Sequence, residues 1–63
     1  MTRNLCWMIV NRARRVGSSP AGAGAVLYYD RYSRRPLYLV ANNGAVYSFD
    51  SDIDFINTYA EVA

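Results

Sequence analysis

The stretch LCWMIVNRARR, Leu5 to Arg15, joins six unbroken apolar residues to a cluster of arginines. Its residues are β-compatible, and the run is as short as a buried strand. It therefore predicts a strand near residues 5–12, whose continuation would put Arg12 and Arg14 on one face and Ala13 and Arg15 on the other. The next stretch, VGSSPAGAGA (Val16–Ala25), is rich in Gly, Ser, Ala and Pro, and predicts a mobile loop over 16–24.

Alternation then resumes. In AVLYYDRY, Val26, Tyr28, Asp30 and Tyr32 share one face and Leu27, Tyr29 and Arg31 the other, which predicts a strand over 25–32. SRRP turns the chain, because Pro36 disfavours helix before it and cannot donate to a central ladder. LYLVA (37–41) is the next strand, with Leu37, Leu39 and Ala41 opposed to Tyr38 and Val40. NNG, Asn42–Gly44, supplies residues that tolerate positive φ, so AVYSF (45–49) returns as its hairpin partner. Residues 25–49 thus read as a three-stranded antiparallel meander.

The tail DSDIDFINTYAEVA changes period. Asp50 or Ser51 serves as N-cap, with Asp52 and Asp54 where the helix dipole favours negative charge. Asp54, Asn57, Thr58 and Glu61 form a polar stripe. Ile53, Phe55, Ile56, Tyr59, Ala60 and Val62 fill the rest, which predicts an amphipathic helix near 51–62. The expected architecture is one α+β domain over residues 1–63: a small antiparallel β-sheet of three to four strands, with one C-terminal helix on one face.

A 63-residue chain buries only about 60% of the surface its unfolded form exposes, so its core is marginal. The single cysteine, Cys6, closes no intrachain disulfide, and with no histidine present a zinc site lacks its ligands. An unusually well packed monomer or an oligomer remains, and the balance leans to a homodimer. Cys6 sits in an apolar run and reads as a small buried hydrophobe. That run is shorter than the core of a signal peptide and far below the ~20 residues of a membrane span. The expectation is a soluble, cytoplasmic protein without cofactor or metal.

Catalysis needs a group that titrates near neutrality, a metal or an activated nucleophile. Histidine and lysine are both missing, so no serine has an obvious base beside it. Asp50, Asp52 and Asp54 are explained by the helix start. GSSPAGAG lacks the lysine and the following helix of a phosphate loop. No catalytic residue is expected.

The charge is lopsided: residues 1–49 carry +6, all of it arginine, and residues 50–63 carry −4. Arginine binds carboxylates and phosphates bidentately and stacks on aromatics, although an arginine-biased coding genome explains the composition equally well. A single helix covers one sheet face, so some of the six tyrosines stand on the other beside arginines. That composition suits the centre of a protein interface, or a surface that stacks unpaired bases, or tyrosine filling β positions on a half-buried sheet. The candidate contact residues are Arg12, Arg14, Arg15, Arg31, Tyr32, Arg34, Arg35 and Tyr38. Against nucleic acid stand the low net charge of +2, the missing RNA-recognition signature and the acidic character of the expected helix.

The stretch NNGAVYSFDSDIDFINTY, a hairpin running into a capped helix in a tiny chain, resembles in layout the small phage-encoded inhibitors of bacterial defence systems, anti-CRISPR proteins among them. The resemblance covers the last third of the chain and carries no diagnostic motif. Many such inhibitors are acidic mimics of nucleic acid, whereas this chain is basic. The resemblance implies a non-catalytic inhibitor in a host cytoplasm. It would cover a functional surface of a larger partner, a protein or protein–nucleic-acid complex with an acidic surface. The alternative is a small RNA- or single-strand-binding domain using the same residues.

Overall fold

The computed structural model describes residues 1–61. The chain begins with a helix, α1 (Arg3–Val16), where the sequence reading expects a strand over 5–12. An unbroken apolar run has no periodicity of its own, so its neighbours decide its conformation. Thr2 Oγ1 accepts from Leu5 N at 3.1 Å and caps the first turn. Gly17 ends the helix at φ 97°, and its N–H donates to the Ala13 carbonyl. Between these caps Cys6, Ile9, Val10 and Ala13 recur at i, i+3, i+4 and i+7 and are all buried. Arg14 and Arg15 occupy the last turn, where the dipole favours cations.

Strands β1 (Ser18–Pro20), β2 (Val26–Tyr29), β3 (Leu37–Val40) and β4 (Val46–Phe49) follow, paired antiparallel in sequence order. The fourth strand of the sheet is therefore drawn from the stretch expected as a mobile loop. Ser-Ser-Pro has little β-propensity, and pairing with β2 is what makes it a strand, with Pro20 tolerated because β1 is an edge. The expected meander is present with shorter strands. Asp30, Arg31 and Tyr32 leave β2 and form a turn, in which Asp30 Oδ1 accepts from Tyr32 N at 3.0 Å and Asp30 N donates to the Pro36 carbonyl at 2.8 Å. At the Asn42–Gly44 turn only Gly44 takes positive φ (88°), and Asn43 Oδ1 accepts from Ala45 N.

Helix α2 (Asp52–Tyr59) is capped by Ser51, whose Oγ accepts from Asp54 N at 3.3 Å. It is shorter than the expected 51–62. Ala60 is already extended, and position 62 lies outside the described residues. The C-terminal helix thus exists, but it is the smaller of two. No described helix is long and apolar enough to cross a membrane.

The core is one cluster. Cys6, Ile9, Val10 and Ala13 of α1 and Phe55 and Ile56 of α2 meet Leu27, Leu37, Leu39 and Phe49 of the sheet. Phe49, Phe55 and Tyr59 pack as a trio with centroids 5.1–5.9 Å apart, which ties α2 to β4. Both helices share this face. The opposite face carries two cross-strand rows, Val26–Val40–Val46 and Ser18–Tyr28–Tyr38–Ser48, and no described element covers it.

Candidate functional site

The caps at Thr2 and Gly17 set where α1 ends, and that end lies beside the β2–β3 turn. Arg14, Arg15, Val16 and Gly17 from the helix meet Tyr29, Asp30, Arg31, Tyr32 and Tyr38 around an open groove of about 380 Å³. Arg14 and Arg15 of the first arginine cluster meet Arg31 of the second here. RARR lies at the end of a helix, not in a strand with alternating faces.

Five of the eight expected contact residues line this groove, and they divide by what holds them. Arg14 belongs to the fold. Its Nη2 lies 2.7 Å from Asp52 Oδ1, its Nε donates to both carboxylate oxygens at 2.9 and 3.0 Å, and its guanidinium sits 4.7 Å above the Tyr29 ring. The hydrogen bond to Asp52 raises the Arg14 pKa against the opposing pull of burial. Arg15, Arg31 and Tyr32 are exposed, and Tyr32 stands 90% accessible on the turn. Tyr38 stacks on Tyr28 with centroids 5.3 Å apart and planes 15° from parallel, on the open face of the sheet.

The other three lie outside the groove's lining. Arg35 turns to Asp50, Nε to Oδ1 at 2.8 Å, and so spends its charge within the chain. Arg34 is exposed on the same turn. Arg12 lies along α1, where it and Arg15 rim a second, more apolar groove of about 540 Å³ with Leu5, Met8, Ile9 and Pro20. Among the described residues Arg12, Arg15, Arg31 and Arg34 make no ion pair. Apart from Arg3, which donates to Asn57 Oδ1 at the start of α1, the unpaired positive charge is thus spread over the end of α1 and the β2–β3 turn.

The residues that sequence reasoning missed are Tyr29 under Arg14, Val16 beside it, and the second groove. Its signal was present as Leu5, Met8, Arg12 and Arg15 at i, i+3, i+7 and i+10, a helical stripe hidden by the strand reading. Cys6 is buried in the core, as its apolar setting implies. The acids feared as repulsive on the C-terminal helix are largely accounted for: Asp52 faces Arg14, and Asp54 accepts from Asp50 N. Comparisons with protein families, curated proteins and solved structures return no match.

Proposed function

We propose that this chain is a non-catalytic binding protein that covers a functional surface of a larger partner, using Arg15, Arg31, Tyr32 and Tyr38. One observation supports the reading: among the described residues, unpaired guanidinium groups of α1 and the β2–β3 turn meet the exposed Tyr32 and the half-buried Tyr38 around one groove. Tyrosine and arginine are the residues that carry binding energy at the centres of protein interfaces, and fixed arginine forks favour an acidic partner. The hairpin-and-helix layout resembles that of small phage-encoded inhibitors of bacterial defence, of the anti-CRISPR kind. An inhibitor of that kind would work in the host cytoplasm against a protein or protein–nucleic-acid complex.

The stacked pair Tyr28–Tyr38 favours a second reading, a surface for single-stranded nucleic acid, since aromatic rings on an open sheet stack unpaired bases while arginines hold phosphates. Two features weigh against it. Each of these rings already gives one side to the other, and Asp30 places a carboxylate in the groove.

The test is a titration with short single- and double-stranded oligonucleotides at about 50 and 200 mM salt, a range over which ~6 phosphate contacts cost ~10³ in affinity. The expected result is no saturable binding at low salt. Pull-down from host extract is then expected to recover an acidic partner with the wild type but not with a folded Arg15→Glu/Arg31→Glu variant. Tight oligonucleotide binding with a steep salt slope would replace the first reading with the second.

A further inference from the structure

The two edges of the sheet are built differently. In β1, Tyr29 N donates to the Gly17 carbonyl and Ala21 N to the Ala25 carbonyl, so residues 17, 19 and 21 face β2 and residues 18 and 20 face outward. Position 20 is proline, which has no N–H to offer, so this edge keeps one outward donor. Proline on an edge strand is a common way of preventing further pairing.

β4 has no such protection. Ala41 N donates to the Ala45 carbonyl, and the alternation carries this inward register to Tyr47 and Phe49. Val46 and Ser48 therefore turn both backbone groups away from the sheet. The next outward donor, Asp50 N, is taken by Asp54 Oδ2 at 3.4 Å, which closes that end of the edge. From Ala45 to Phe49 the strand holds no charge, no proline and no glycine. Val46 is 60% accessible and Tyr47 49%.

We infer that β4 is the seam of a homodimer, pairing antiparallel with β4 of a second copy across a two-fold axis at Tyr47. The occupant follows from the register. Among the described residues the edge offers two residues with free donor and acceptor, spaced by two about Tyr47, and this pattern is complementary to itself. Val46 of each copy exchanges both bonds with Ser48 of the other, giving four hydrogen bonds. Tyr47 faces Tyr47 of the second copy as a non-hydrogen-bonded pair, in which side chains approach most closely. Two four-stranded sheets become one of eight, and no like charges meet along the seam. A small domain with one cysteine and no disulfide has few other means of adding buried surface. This inference is independent of the groove, which is lined by α1, β2, the β2–β3 turn and β3.

Light scattering coupled to gel filtration over a concentration series tests it. The wild type is expected at twice the 7.1 kDa chain mass, with a melting temperature that rises with concentration. Tyr47→Lys sets two ammonium groups face to face at the axis, and Ser48→Pro removes an outward N–H without touching the β3 ladder. Both are expected to run as monomers with native far-UV circular dichroism. Amide exchange on the wild type supplies a readout that needs no variant: Val46 and Ser48 amides are expected to gain protection as concentration rises. A wild type that stays at 7.1 kDa throughout, dimerisation unaffected in folded variants, or unprotected Val46 and Ser48 amides in a dimer overturns the inference.

Discussion

The two faces of the sheet are made from alternate residues of the same strands, yet they have opposite fates. One carries Leu27, Leu37, Leu39 and Phe49, all buried beneath two helices. The other carries Val26, Val40, Val46 and the stacked Tyr28–Tyr38 pair, with no described element on top. The covered face supplies most of the stability. The open face is continued at one end by Arg15, Arg31 and Tyr32. Arginine divides in the same way: Arg14 and Arg35 meet carboxylates of the chain, and among the described residues Arg3, Arg12, Arg15, Arg31 and Arg34 do not.

The contrast can be broken at its strong side first. Leu27→Ala, opening a cavity in the buried cluster, is expected to cost about 2–5 kcal/mol, enough to unfold much of so small a domain in urea titration. Tyr38→Ala on the open face loses only the stack with Tyr28 and is expected to cost about 1 kcal/mol. If the two variants lost equal stability, the division of labour between the faces would fail.

A finer comparison lies within one helical turn. Arg14→Met removes the pair with Asp52 and the contact with Tyr29. Because the Arg14 side chain is 40% accessible, solvent screening limits the expected loss to about 1 kcal/mol, reduced further at high salt. Arg15→Met is expected to change stability by less than ~0.5 kcal/mol. A double-mutant cycle over Arg14 and Asp52 isolates the pair, and a coupling of zero would show that the pair does not stabilise the fold.

The smallest effect is one of pH. Burial, reinforced by the nearby Tyr47, raises the Tyr59 pKa above the ordinary value of 10.0. The folded state therefore holds the phenol proton more tightly than the unfolded chain. That contribution is complete below pH 10 and is lost as pH rises through the folded-state pKa. Melting temperature is expected to fall above pH 10, and Tyr59→Phe is expected to lessen the fall. An alkaline limb unchanged in Tyr59→Phe would place its origin elsewhere.

The meander was legible because Leu27, Leu37 and Leu39 alternate with Tyr28, Tyr38 and Val40, and because Asn42–Gly44 supplies its turn. α2 was legible from its cap at Ser51 and its acidic first turn. α1 was not, because LCWMIV satisfies either period. The deciding residues, Thr2, Ala13 and Gly17, lie outside that run, and only together do they describe a capped, one-faced helix. β1 was invisible because its strand character comes from β2. The capture of Arg14 by Asp52, 38 residues away, was not legible either.

Local chemistry in the chain settled the strand alternation, the hairpin turn, the helix cap and the lopsided charge, because each depends on residues within a few positions of one another. Packing settled the rest. Burial of Cys6, Ile9, Val10 and Ala13 against the sheet chose helix over strand for the N-terminal run, and long-range pairing turned Ser-Ser-Pro into an edge strand. Which arginines are paired followed from where Asp50 and Asp52 came to lie. Those outcomes depend on distances between residues far apart in the chain, and such distances exist only once it has folded.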